Sequence, residues 1–323
     1  MQLINRPPRN YHVSHDTVVE LETAILADSR VTPADISRPA EIMVDTAARA
    51  LRRAGADLGS LLRVSTRKGA AMDRDYMAVM MELDPVKTAP WFIHRARRSL
   101  YLFDAWPQRH AEIRRFVQTW GVDFVFVSSS EAAERLRASA DRCGFFWIPE
   151  GVDPAKYQWR SFFEKDIDVL QLGRKYDAHH DVILPALSAA GKSYVYEREK
   201  GKIIYPTRAE FVIGLARSRI SICVPSSITH PARAGDIETM TTRYLQSMAS
   251  KCLVLGHAPA EMVCLFGYNP VVEIDMTNPA AQILDILENF EAYVPLIENN
   301  FSAVTESHTW KERWDRMAAV LFD

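Results

Sequence analysis

Long apolar runs, paired cysteines and glycine-rich phosphate loops are all missing from this sequence, and each absence removes a class of function. No stretch approaches the ~20 apolar residues of a membrane span, and the opening MQLINRPPRNYHVSHD has no apolar core of signal-peptide length. The four cysteines, Cys143, Cys223, Cys252 and Cys264, show no C-x-x-C spacing. Three lie in or beside apolar runs, which reads as buried free thiols in a reducing compartment, not a metal cluster. Neither charge sign dominates: 39 Lys and Arg against 41 Asp and Glu leave a formal charge of -2, which argues against a general nucleic-acid binder. G-x-x-x-x-G-K-[ST], G-x-G-x-x-G and G-x-S-x-G are all absent, so P-loop, classical dinucleotide and nucleophile-elbow chemistry have no direct support. These features predict a cytoplasmic protein.

At 323 residues the chain suits two domains better than one. Its first half is an irregular α/β pattern. Tyr11-His12-Val13 reads as a short strand, Asp16 starts a helix through about Ala27, and Pro39 opens another ending near Gly55. Leu61 to Ser65 and Ser99 to Phe103 read as strands, with a Met-rich helix from Asp73 to Glu82 between them whose Met72, Met77, Met80 and Met81 fill core space. From Pro107 the alternation is regular: a helix to Trp120, a strand Asp123 to Val127, a helix capped in Ser128-Ser129-Ser130, a strand Phe145 to Ile148. Two prolines and a glycine in PEGVDP then mark a linker. Beyond it, strands at Asp168, Ser193, Arg219, Cys252 and Val271 alternate with helices at Asp181, Thr207, Pro259 and Asn278. This spacing implies right-handed crossovers and parallel, doubly wound sheets. The domains expected are 1–150, 151–305 and a closing helix, 306–323, carrying Trp310 and Trp314 and placed to pack back across the junction.

Chemistry concentrates in Gly235 to Gly256. Apolar residues at helical spacing, with Asp236 as N-cap, predict a helix running to Met248, and Cys252 to Leu255 a buried strand. Glu238 and Gln246 would fall within about 80° of each other on that helix, with Arg243 between them. Open α/β sheets bind phosphorylated ligands at such helix starts; an ordinary solvated helix face is the alternative. Gly173-Arg174-Lys175 follows a strand and is either a turn closing on a diphosphate or a surface basic turn. His179 and His180 are phosphate donors or a solvated pair in a loop. Ser226, after Pro225, sits where hydroxyls meet ligands or where the chain simply turns. Arg95, Arg97 and Arg98 read as a solvated loop that leaves an anionic acceptor or a membrane surface open.

Together these pieces resemble retaining GT-B glycosyltransferases. GFFWIPEGVDPAKY is similar to the linker of that family, with Glu150 in place of the usual asparagine, and VDFVFVSSSEAAERL to its last N-domain strand and helix. DVLQLGRKY resembles the first C-domain strand with its Gly-Arg turn, and SRISICVPSS a later strand. RYLQSMASKCLVL and HTWKERWDRM are most similar to the spore-maturation-protein-like branch. The resemblance covers about half the chain and implies two Rossmann-like domains facing a cleft, the N-terminal one reduced or divergent.

The resemblance also assigns roles. Glu238 matches the glutamate facing the donor sugar and Gln246 the one facing the ribose, an amide where the family has a carboxylate. Arg174 matches the diphosphate-binding arginine, while Lys175, His180 and Arg243 compete for the second cation, with Gly173 and Ser226 lining the same site. Ser250-Lys251 stands where the family has glycine. Asp104, at the end of the Ser99 to Phe103 strand, matches a residue near the reacting centre or else caps the following helix; His15 and Asp16 are lesser candidates. The implied activity is transfer of a sugar from a nucleoside diphosphate of UDP or GDP type, with retention and without a metal or other cofactor. The acceptor is an unspecified glycan, lipid or protein, as in polysaccharide biosynthesis; no nucleic acid and no membrane span are expected, and peripheral membrane contact stays open. A non-catalytic module of the same fold and a nucleotide-sugar epimerase are the alternatives.

Overall fold

The computed structural model describes residues 1–5, 13–36, 38–64, 74–138, 142–173, 175–199 and 202–322. The chain forms two compact units: Met1–Asn10, Val18–Pro149 and Trp314–Asp323 make the first, and Tyr11–Thr17 with Glu150–Arg313 the second.

The first unit holds a six-stranded sheet in the order β2-β1-β3-β4-β5-β6, formed by Gln2–Ile4, Thr32–Pro33, Asp75–Met80, Arg97–Leu102, Phe124–Val127 and Gly144–Trp147 as β1 to β6. Every pairing is parallel. Its helices are α1 (Asp16–Leu26, of which Asp16 and Thr17 belong to the second unit), α2 (Arg38–Arg53), α3 (Leu58–Leu61), α4 (Pro85–Phe92), α5 (His110–Trp120) and α6 (Ser130–Arg137). Asp57, Asp84 and Ser129 cap α3, α4 and α6 through side-chain bonds to backbone N–H groups.

Several expectations fail here for identifiable reasons. The Met-rich stretch is β3, not a helix, because Tyr76 to Met80 are all buried and pair with β4, and Tyr76 to Ala78 pair with β1 as well. Met72 lies outside the described residues. Leu61 to Ser65 is no strand: Leu61 ends α3, and Ser65 lies outside the described residues. Tyr11 and His12 are also outside them, and Val13 to His15 form a 3-10 turn. The opening strand is instead Gln2–Ile4, with Leu3 and Ile4 fully buried. Arg97 and Arg98 are not a solvated loop. Arg97 donates to Asp75 at 2.8 Å and to the Leu321 carbonyl at 2.6 Å. Arg98 is 2% exposed and donates to the carbonyls of Phe92 and His94.

The second unit has a five-stranded parallel sheet, β11-β10-β9-β7-β8, from Ile167–Gln171, Tyr194–Tyr196, Ser218–Cys223, Leu253–Gly256 and Val272–Glu273 as β7 to β11. Its helices are α7 (Asp177–Ala189), α8 (Arg208–Ala216), α9 (Ser226–Thr229), α10 (Pro231–Ala234), α11 (Thr242–Ala249), α12 (Ala260–Phe266), α13 (Pro279–Glu288) and α14 (Val294–Ser307). Both sheet faces are covered. Val169, Ile220, Ile222, Leu253 and Leu255 pack with Ile183 and Leu187 of α7 and Ile283 and Ile286 of α13. Leu170, Cys223 and Val254 point the other way, into Phe211 and Leu215 of α8 and Tyr244 and Met248 of α11. That two-sided burial is why these strands read as continuous apolar runs. The final helix, α15 (Trp310–Phe322), contributes to both units. The residues leading into it are held in the second unit by the Val152–Thr309 bridge and by Trp310 N–H on the Val152 carbonyl, whereas Trp314 donates to Asp28 in the first.

At the end of β10 the backbone approaches β9 so closely that a Cβ on Gly256 would lie 1.7 Å from the Cys223 carbonyl oxygen. Because the obstacle is backbone, it cannot swing aside. Gly256→Ala is therefore expected to cost about 3 kcal/mol or more, read as a lower urea midpoint; an unchanged midpoint rejects the close approach.

Candidate functional site

Parallel strands put all their carboxyl ends on one edge. In the second unit, chain order runs from β7 to β8 on one side and then crosses back to β9, so the strand order reverses between β7 and β9. Outside that switch point an open α/β sheet leaves a crevice for ligands. Gly173 follows β7 and Ser226 follows β9, so two candidates flank it.

Gly173 has φ +72°, a turn an L side chain resists, and a Cβ there would meet the Arg243 guanidinium at 3.2 Å. Arg243, on α11, donates to the carbonyl of Leu172. One predicted cation therefore closes over the end of β7 beside the glycine turn. Arg174 lies outside the described residues. Lys175 places its ammonium 5.4 Å over the Tyr196 ring and pairs with no carboxylate among the described residues.

The histidine pair departs from expectation. His179 and His180 are not in a solvated loop; both lie in the first turn of α7, at 0% and 4% exposure. Tyr194 OH donates to Gln171 Oε1 at 2.5 Å, which leaves the Nδ1–H tautomer of His180 to donate to the Tyr194 oxygen at 2.8 Å. Burial, then Lys175, pulls the His180 pKa below its ordinary value, so it is a poor source of positive charge. His179 is held down to about 4 by burial and by His180, and neither ring nitrogen has a hydrogen-bond partner among the described residues.

Glu238 is not on a helix with Gln246. The helix begins only at Thr242, because the preceding segment is diverted by a buried carboxylate: Glu261 of α12 accepts from Thr239 Oγ1 and Met240 N, each at 2.8 Å. Asp236 is therefore no N-cap. Glu238 instead sits beside His257, which follows β10; Nε2 of His257 is 3.3 Å from Glu238, and Nδ1 is 3.0 Å from Glu273 at the end of β11. Burial pulls the His257 pKa down, but hydrogen bonds and charge from Glu273 and then Glu238 outweigh it and hold it above its ordinary value. Neither His257 nor Glu273 was singled out from the sequence; the signal available was position, since His257 directly follows a glycine that ends a buried strand.

Gln246 is 8% exposed, and its side chain has no hydrogen-bond partner among the described residues. Ser226 opens α9, and the neighbouring Ser227 Oγ is buried with no partner among the described residues. Asp104 belongs to the first unit, half-buried after the carboxyl end of β4, with its N–H on the Met81 carbonyl. His15 ends the 3-10 turn and Asp16, the first residue of α1, pairs with Arg208 at 3.5 Å.

The amides at the start of α11 are not all bare. Glu150, the linker residue that stands for asparagine, is 7% exposed and accepts from Thr242 N at 2.5 Å and from Thr242 Oγ1. Its own carbonyl accepts from Arg313 Nε. Nothing in the residues around Glu150 signals this contact, which spans 92 positions of the chain.

No protein-family model matches the chain, and no curated protein sequence matches it. Solved structures do. HepE of Anabaena, determined with UDP-glucose, superposes with a TM-score of 0.59 at 11% identity, over 99% of this chain and 98% of HepE. This is the GT-B fold. Sucrose-phosphate synthase of Thermosynechococcus elongatus gives 0.55 at 10% identity, over 90% of this chain and 80% of that one. TarM gives 0.52 at 9% identity over 77% of this chain, which spans only 55% of TarM. No described helix is long and apolar enough to cross a membrane.

Lys251, which with Ser250 stands where the resembled pattern has glycine, takes φ 50°, the left-handed conformation that glycine serves. Its ammonium pairs with Glu298 at 2.7 Å and lies 4.1 Å over Trp159. Lys251→Ala loses these contacts and keeps the strain, while Lys251→Gly loses them and relieves it. The glycine variant should be the more stable of the two by about 1 kcal/mol in chemical denaturation; equal stabilities would deny the strain.

His257 supplies a pH signature. A folded pKa above the ordinary 6.5 stabilises fully below 6.5 and stops contributing as pH rises through the folded value. The melting-temperature gap between the wild type and His257→Gln should be widest in mildly acid buffer and close toward alkaline pH. A gap that widens instead would overturn the pairing.

Proposed function

We propose that this protein transfers a sugar from a nucleoside diphosphate donor of UDP or GDP type to an acceptor, with retention at the anomeric carbon. The supporting observation is the arrangement at the second unit's switch point, where the Gly173 turn, the Arg243 guanidinium and Lys175 gather at one sheet edge and Glu238 stands at the end of β10 on that same edge. The likeness to HepE, whose structure holds UDP-glucose, supports the same reading.

In this reading the cations stabilise charge as it develops on the leaving diphosphate. Arg174, assigned by its place in the Gly-Arg turn, acts with Lys175 and Arg243, so basic side chains perform the electrophilic work that a metal performs elsewhere. His180, buried and neutral, drops out of that set. Glu238 accepts hydrogen bonds from sugar hydroxyls. Gln246 faces the ribose through an uncharged amide, a weaker contact than a carboxylate offers. Asp104 is the acceptor-side candidate. Without an assigned nucleophile, retention rests on how donor and acceptor are positioned.

Thermal melting with UDP and with GDP tests the donor site. One of the two should raise the melting temperature of the wild type, by an amount that grows with ligand concentration, and Arg174→Ala should abolish the shift. No shift with either nucleotide rejects the proposal. A shift without turnover of any UDP- or GDP-sugar would favour the non-catalytic module, for which the amide at Gln246 is the specific observation.

A further inference from the structure

The exposed face of α2 is out of keeping with a helix that only covers a sheet. Its buried residues are Val44, Asp45 and Ala48, with Leu51 half-buried, while two of its large apolar side chains, Ile42 and Met43, are 58% and 67% exposed. Leu61, on α3 beside it, is 68% exposed. A helix stabilised by its own core would do the reverse, turning isoleucine and methionine inward.

Charge follows the same face. Ile42, Thr46, Arg49 and Arg53 recur along one exposed stripe. Arg38 and Arg52 are exposed as well, and the helix's acids are withdrawn: Asp45 is buried and Glu41 half-buried. Arg49 is 4.0 Å from Asp45 and Arg52 is 3.2 Å from Glu112, whereas Arg38 and Arg53 pair with no acid among the described residues. Four arginines against two acids is a local excess in a chain whose formal charge is -2.

We infer that α2 docks the protein on an anionic lipid surface, with Ile42 and Met43 entering the headgroup boundary and Arg38, Arg49 and Arg53 meeting lipid phosphates. A basic helix with exposed aliphatic residues fits that boundary chemically, since arginine stems lie along apolar surface while the guanidinium reaches phosphate. A second copy of the chain fits worse. Two-fold pairing through this face would set the arginine cluster of one copy near that of the other without acids to meet it. The inference is independent of what the second unit binds, and it moves the membrane contact from Arg97 and Arg98, which are used internally, to α2.

Co-sedimentation with vesicles of phosphatidylcholine, with and without phosphatidylglycerol, tests it on the full chain. The wild type should bind the anionic vesicles at least about tenfold better than the neutral ones, and added salt should release it. Ile42→Ser with Met43→Ser, and separately Arg38→Glu with Arg53→Glu, should each cut binding about tenfold or more. Arg38→Lys with Arg53→Lys, which keeps the charge, should retain it. Circular dichroism melts establish that each variant is folded, since all four positions are on the surface. Equal binding to neutral vesicles, or binding that survives both disruptive pairs, overturns the inference. So does a dimer that depends on Ile42 and Met43 and forms without any affinity for vesicles.

Discussion

Parallel pairing in both sheets governs what this protein can do and where. A parallel strand must return through a crossover, so every loop that leaves a carboxyl end emerges on the same edge of its sheet. In the second unit that edge collects the Gly173 turn, Ser226, His257 and the end of β11 with Glu273, although these residues are far apart in sequence. The reversal of strand order between β7 and β9 then spreads neighbouring loops apart, so the crevice is a product of topology before any side chain is chosen. What the side chains add is sign. The β7 side carries Arg243 and Lys175, and the β10 side carries Glu238 and Glu273 with His257 between them.

A second layer of order comes from two buried carboxylates that accept hydrogen bonds from the chain at and just ahead of the start of α11. Glu261 takes Thr239 Oγ1 and Met240 N; Glu150 takes Thr242 N and Thr242 Oγ1. Each satisfies one backbone amide and one threonine hydroxyl, and between them they bracket residues 239–242. Carboxylates suit amides at a helix start, where unpaired N–H groups and the helix dipole favour negative charge. The segment bearing Glu238 is thereby fixed from two directions. Its side chain is partly exposed while Thr239 and Met240 behind it are buried and hydrogen-bonded to Glu261, an arrangement that holds a carboxylate in place without sealing it away from a ligand.

The legible parts of the sequence were those in which local chemistry and final environment agree. Thr207 caps α8 with Glu210 answering in a capping box, and Ser129 caps α6, because such bonds are made within one turn. β7, β9 and β10 are buried on both faces and could be read as apolar runs. The β3 methionines were misread because a fully buried strand of long flexible side chains shows no alternation, while their spacing imitates a helix face. β1 was missed because three residues carry little pattern. The start of α11 was misplaced for a different reason: what stops the helix is Glu261, 22 residues downstream of Thr239. Residue choice within Gly235 to Thr241 says nothing of it. The carboxylate–imidazole–carboxylate contact of Glu238, His257 and Glu273 was hidden likewise, since two adjacent strand ends bring it together.

Lys251 and Gln246 stand at two positions where the sequence differs from the pattern it resembles, and the structure shows what each side chain does. Lys251 keeps the left-handed backbone that glycine would supply, and its side chain finds a second use against Trp159 and Glu298. Gln246 keeps the size of a glutamate and loses its charge. That loss fits the electrostatics of the edge. In the proposed reading, a diphosphate approaching Glu238 and Glu273 would meet two carboxylates, and each further negative charge would raise the cost of binding it. His257, held between them with a raised pKa, offsets part of that charge, and an amide at 246 adds none. His257 thus lowers the negative potential on the side of the crevice opposite Arg243 and Lys175, while Gln246, three residues from Arg243 on α11, leaves the potential there unchanged. In the proposed reading the sugar contact at Glu238 survives, and the repulsion it would otherwise impose on the phosphates is reduced by its imidazole neighbour.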